Sequence, residues 1–146
     1  MAVVGDVHLS VAAPLSEYAA GAADLVRAGC HLTYLGWLPR PKLWQAFADH
    51  DLLLMPSTTL EAFGLVAIEA QACGLPVLYR PVPGLIEVLG ESALGVELTD
   101  ATALAKILTR LETDPTMLDE LRATGRRNAA RFPLSATAAA LNVQIT

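Results

Sequence analysis

The stretch that most constrains the fold runs from Leu52 to Pro76 and reads LLLMPSTTLEAFGLVAIEAQACGLP. An apolar run, a polar turn with a glycine and an apolar helical pattern follow one another, the order of a strand that feeds a helix through a tight loop. In an open α/β sheet such a loop lies at the carboxyl end of a parallel strand, where ligands bind. The amides after Gly64 then open a helix whose positive end suits an anion. Two carboxylates, Glu61 and Glu69, stand eight positions apart across this corner.

The remaining segments repeat the same alternation. Ala2-Val3-Val4-Gly5-Asp6 reads as a short strand ending in a turn, and apolar residues from Leu15 to Ala28 recur at helix spacing before Gly29 stops them. His31 to Gly36 alternates as a strand near a sheet edge, and Pro41 opens a helix that runs from Lys42 to His50. Asp51 to Met55 has the continuous apolar pattern of a parallel strand buried on both faces. The pattern then predicts a helix over 64–73, a strand over 76–79, a short helix over 83–89 and a strand over 94–98. Three helices close the chain, over 101–112, 115–131 and 134–143. Strands separated by helices argue for βαβ units and a doubly wound, Rossmann-like parallel sheet.

A chain of 146 residues fits one domain spanning 1–146, large enough to bury roughly 70% of its unfolded surface. The hydrophobic fraction of 53% is above the usual roughly 45–50%, and charged residues at 17% are below the usual figure of about 25%. Either both sheet faces are covered or a partner is missing. The net charge of −5 gives no basic field to attract nucleic acid or an anionic bilayer. No apolar run has the length of a membrane span, and the first residues lack a signal-peptide pattern, which makes the expected location cytoplasmic.

Individual residues carry competing readings. The helix around Glu69 is apolar nearly all round, so Glu69 either occupies its one wetted edge or is a buried carboxylate that hydroxyl groups of a sugar or ribose would satisfy. Glu61 alone reads as an acidic residue complementing a helix N-terminus; beside Gly64 it can share a phosphate-bearing, hydroxyl-rich ligand with the free amides and Glu69. Cys30 and Cys73 read as small buried hydrophobes, and Trp37 and Trp44 as packing residues. Arg122, Arg126, Arg127 and Arg131 read as a solvated helix face. His31 and His50 read as structural, whereas His8, placed in the loop after the first strand, is a candidate to reach a nucleotide base or phosphate. Nothing in the spacing of Arg40, Lys42 or Arg80 marks them as diphosphate ligands.

Pro56-Ser57, Glu61-Ala62-Phe63-Gly64-Leu65-Val66, Glu69-Ala70 and Ala72-Cys73-Gly74-Leu75-Pro76-Val77 together resemble the E-x7-E signature of retaining glycosyltransferases of family 4, also called group 1 glycosyltransferases. Leu38-Pro39, Gly84-Leu85-Ile86-Glu87-Val88 and Asp114-Pro115 follow in the family's order, so the resemblance covers nearly the whole chain. It implies the carboxy-terminal, donor-binding half of a GT-B fold. It also implies a catalytic-site role for Glu61 at hydroxyls of the transferred sugar near the reacting carbon. The amides around Phe63, Gly64, Leu65 and Val66 would hold the donor sugar and diphosphate, and Glu69 the ribose. Such sites usually need no metal, and no cofactor is expected.

Measured against the family pattern, the acceptor domain and the first βα unit of the donor domain are missing, so the domain is expected to be incomplete at its amino end. The implied function is binding of a nucleotide diphosphate sugar for retaining transfer. The isolated chain is expected to be inactive and to need a partner chain that supplies the acceptor domain. The alternative is a non-catalytic fragment or interaction module that self-associates or docks onto another chain through the apolar surface left uncovered.

Overall fold

The structure, a computed structural model, describes residues 8–12, 31–56 and 64–133. The strand expected over 2–6 and the helices expected over 15–28 and 134–143 lie outside them, as do Glu61, Phe63 and Cys30. The chain divides into two compact units, Met1–Gln45 and Ala46–Thr146.

In the first unit, β1 (His8–Val11) pairs in parallel with β2 (His31–Tyr34), His8 opposite His31 and Val11 opposite Tyr34. His8 therefore belongs to a strand rather than to the loop in which the sequence pattern places it. The alternation of His8-Leu9-Ser10-Val11 suits a strand, and ladder bonds to β2 outweigh the turn signal of the glycine upstream. The His8 and His31 rings stack with centroids 4.7 Å apart. Trp37 is 78% exposed and Trp44 is also exposed, so neither is the packing residue its apolar ring suggests.

Helix α1 (Arg40–Ala48) begins with Pro41 in its first turn, where the missing N–H leaves no unmade bond. The last carbonyls of a helix have no partner within it. The His50 ring answers this, its Nδ1 lying 2.7 Å from the Ala46 carbonyl.

The second unit is built on a three-stranded parallel sheet of β3 (Leu53–Met55), β4 (Val77–Tyr79) and β5 (Leu94–Gly95), with β4 central among them. Leu53 pairs with Val77, Met55 with Tyr79, and Tyr79 with Gly95. Between β3 and β4 lies α2 (Leu65–Ala72), and between β4 and β5 lie α3 (Pro83–Leu89) and a 3-10 turn, Gly90–Ser92. Helices α4 (Ala101–Thr113) and α5 (Pro115–Ala129) complete the unit. The expected βαβ alternation is present, and every described strand pair is parallel.

Burial is distributed differently from the expectation. It is β4 that is buried along its whole length, while β3 is half-buried. Alternate side chains of a strand face opposite sides, so burial of Val77, Leu78 and Tyr79 together requires cover on both faces. Leu78 packs with Val96, Leu111 and Leu121, and Leu104, Ile107, Leu108 and Leu118 surround that cluster from α4 and α5. Two aspartates place these helices. Asp100 accepts from the Thr102 and Ala103 amides, and Asp114, which precedes Pro115, accepts from the Thr116 amide.

Truncating Leu78, which has no exposed surface, removes the centre of this cluster. Leu78→Ala is expected to destabilise the protein by about 2–5 kcal/mol. Equilibrium denaturant unfolding checks this, and a loss well below that range would place the core elsewhere.

Candidate functional site

Parallel strands present all their carboxyl ends on one edge. Here that edge holds the residues after Met55, Tyr79 and Gly95, with the ladder extended by Arg80 N–H to Met55 O at 3.1 Å and Val96 N–H to Tyr79 O at 2.9 Å. The segment after β3 leads into Gly64 and α2, the segment after β4 into α3, and the segment after β5 toward α4.

Gly64 is the N-cap of α2 and has left-handed backbone angles, φ 63° and ψ 39°. A Cβ there would also stand 2.5 Å from Leu85 Cδ2, on a residue with no exposed surface. Both facts require glycine: the conformation excludes ordinary side chains, and the close approach to α3 leaves no room for one. Its carbonyl accepts from the Ala67 and Ile68 amides. The amides of Leu65 and Val66, in the first turn, have no carbonyl within the helix to reach. Their side chains are exposed, so this end of α2 is not buried under apolar cover from its own first turn.

Two residues of the expected site, Leu65 and Val66, thus share the helix N-terminus with Gly64. Glu69 lies one turn further along the same helix and is 7% exposed, which decides between its two readings in favour of burial. Glu61 and Phe63 belong to the segment outside the described residues.

Arg80, at the same edge, is paired: its Nε lies 3.1 Å from Glu97 Oε1. Glu97 also accepts from the Thr99 hydroxyl at 2.7 Å and from the Thr99 amide at 3.3 Å. The Thr99 hydroxyl, then its amide, then the Arg80 guanidinium hold the Glu97 carboxyl below its ordinary value of 4.5. This sequence-distant cluster carries no spacing motif, so the pattern of the chain does not announce it.

A second group escaped the sequence reading altogether. Gln71, Ser92 and Asn128 join α2, the 3-10 turn and α5 through side-chain hydrogen bonds. The signal for it was a second polar residue, a glutamine two positions after Glu69, in a helix that is apolar at its other positions. Cys73, by contrast, is exposed rather than buried, because it caps the carboxyl end of α2 where the helix leaves the interior. The late arginines do lie largely in solvent, with Arg122 paired to Asp119 at 3.0 Å.

An open cleft of about 330 Å³ is lined by Glu87, Glu91, Thr124, Arg127 and Arg131 at the carboxyl end of α3. Its charges are mixed, and it stands apart from the Gly64 helix start, so it is not the anion site expected of the strand–helix corner. Among the described residues no group of three or more His, Cys, Asp or Glu could hold a metal, and no helix is long and apolar enough to cross a membrane.

Comparison with known proteins gives the corner a context. The family model for glycosyl transferases group 1 matches residues 5–131. A D-inositol 3-phosphate glycosyltransferase of Thermobispora bispora is 44% identical over 105 residues, which are 70% of this chain and 24% of that protein. A sequence from the cps region of Klebsiella pneumoniae, named as an uncharacterized 41.2 kDa protein, is 40% identical over 80 residues. The chain spans about a quarter of the length of the curated relatives it matches.

Among solved structures, Anabaena HepE in complex with UDP and glucose has a TM-score of 0.80 at 20% identity, covering 95% of this chain and 41% of that one. Sucrose-phosphate synthase of Thermosynechococcus elongatus has a TM-score of 0.73 at 31% identity, covering 88% and 33%. The α/β fold is therefore that of part of a GT-B glycosyltransferase, as the motif order implied.

The geometry of the corner makes two outcomes testable. Gly64→Ala forces a left-handed alanine against Leu85 and is expected to destabilise the protein by about 1–3 kcal/mol, read as a lowered unfolding midpoint. An unchanged midpoint would mean that the helix start is not held against α3. For Glu97, a folded-state value below the unfolded one means that its stabilising contribution is present above the ordinary carboxylate range. That contribution is lost as pH falls through the lower folded value. A carbon-detected NMR titration is expected to place its midpoint below 4.5, and Thr99→Val to move it upward.

Proposed function

Because the chain belongs to the glycosyl transferases group 1 family, we propose that it binds a nucleotide diphosphate sugar and serves as the donor side of a retaining, family-4 glycosyltransferase. The observation that carries this reading is the start of α2. A left-handed glycine at a sheet's carboxyl edge opens a helix whose first amides have no carbonyl within the helix to reach, and a buried carboxylate follows one turn later on that helix. Anion and hydroxyl recognition are combined on one element.

In this scheme the amides of Phe63, Gly64, Leu65 and Val66 hold the diphosphate and the donor sugar. The helix N-terminus stabilises the negative charge that develops on the leaving diphosphate. Glu69 accepts hydrogen bonds from the ribose hydroxyls, and Glu61 accepts from hydroxyls of the transferred sugar near its reacting carbon. The Arg80 guanidinium is not needed as a diphosphate ligand, since Glu97 engages it. No metal step enters the scheme.

The whole chain forms a single nucleotide-sugar-binding domain in this reading. Acceptor binding is supplied by polypeptide beyond the matched quarter of the relatives, whether in a longer chain or a partner chain. Alone, the chain binds donor and does not transfer sugar.

UDP is a suitable probe, since the HepE neighbours were solved with it. Isothermal calorimetry is expected to show one UDP site on the wild-type chain and an affinity loss of about tenfold or more for Glu69→Ala, the scale of a hydrogen bond to a charged group. If UDP, GDP and ADP all fail to bind the wild type, or if Glu69→Ala binds as wild type does, the donor-site reading is wrong.

A further inference from the structure

We infer that Gln71, Ser92 and Asn128 form a positioning network that sets the rotation and height of α2 and thereby presents Glu69 to the donor, an inference that rests on the reading of Glu69 just given. Gln71 is 1% exposed and Asn128 is 6% exposed. Successive helix residues are separated by about 100°, so Gln71 stands about 200° around the helix from Glu69. The two side chains point to nearly opposite sides. Gln71 cannot therefore share the ligand directly and acts through the backbone they have in common.

The hydrogen bonds of this network leave no freedom of assignment. Ser92 Oγ donates to the Leu89 carbonyl at 2.5 Å, so it is an acceptor toward Gln71. Gln71 Nε2 donates to that Oγ at 2.8 Å and to the Ser92 carbonyl at 3.2 Å. Asn128 Nδ2 donates to Gln71 Oε1 at 2.9 Å and to the Val88 carbonyl at 3.0 Å. Asn128 Oδ1 accepts from Arg131 at 3.2 Å. Both protons of each amide are used, and a flip of either amide would set donor against donor or acceptor against acceptor.

Two glycines bring the elements close enough for this. A Cβ on Gly125 of α5 would lie 3.2 Å from Gln71 Cγ, so α5 runs against α2 with no side chain between them at that point. Gly74, just beyond α2 with φ 79°, is covered by the Arg126 guanidinium. Apolar contacts alone allow a helix to slide or turn by small amounts, whereas directed bonds from one buried amide to two separate elements do not. Glu69 is carried by the helix they hold.

Calorimetry with UDP on four chains tests this: wild type, Gln71→Met, Glu69→Ala and the double variant, each at a temperature where unfolding curves show it folded. Gln71→Met is expected to weaken UDP binding by about threefold to tenfold, yet to add nothing in the Glu69→Ala background. Leu111→Ala, a core change remote from the network, controls for lost stability and is expected to bind UDP as wild type does. Should Gln71→Met fail to fold, Ser92→Ala replaces it, with a smaller loss and the same dependence on Glu69. Wild-type affinity in Gln71→Met, or an equal further loss when Glu69 is already alanine, would overturn the positioning role while leaving the donor site intact. Failure of the wild type to bind UDP, GDP and ADP alike would overturn both.

Discussion

The close passage of α5 across α2 is the constraint on which the second unit depends. Helix α2 is buried over Ala67 to Gln71, so it has to be surrounded, and one of its surrounding elements is a helix from the far end of the chain. Gly125 lets the two approach, and Gln71 and Asn128 then exchange a buried hydrogen bond of 2.9 Å. A buried amide left half-satisfied costs about 1–3 kcal/mol, so the pairing is a strong condition on how these helices meet. Among the described residues no buried side-chain nitrogen or oxygen lacks a partner.

From that packing the corner follows. With its carboxyl half held by α5 and the 3-10 turn, α2 points its amino end at the carboxyl edge of the sheet, where Gly64 turns the chain against Leu85. The central strand β4 is covered on one face by the Leu78 cluster of α4 and α5, which fixes the sheet that the edge belongs to. Arg80 and Glu97 tie the segments after β4 and β5 together at that edge. Chemistry proposed for Leu65, Val66 and Glu69 thus stands on contacts made by residues that touch no ligand.

Much of this was legible in the sequence. The apolar run, the glycine and the helical pattern after it predicted a helix over 64–73, and the structure has one over Leu65–Ala72; the short helix over 83–89 coincides with α3. Local signals suffice there, because Pro83 fixes φ at a helix start and Gly64 and Gly90 permit the positive φ that bounds the helices. Other features depend on residues far apart in the chain. The strand at His8 was hidden because its partner at His31 lies in a distant segment. Cys73 was misplaced because periodicity gives a helix's faces but not where the helix emerges. The Gln71–Asn128 bond joins residues 57 positions apart, and no spacing rule links them.

The central claim is that the start of α2 is where the chain holds a nucleoside diphosphate. Titrating isotope-labelled protein with UDP and following the backbone amide resonances tests it most directly. The amides of Gly64, Leu65 and Val66 are expected to shift most, with saturation at one equivalent and a smaller response at Glu69. Shifts centred on the cleft of Glu91, Arg127 and Arg131, or no shifts with UDP, GDP or ADP, would contradict it.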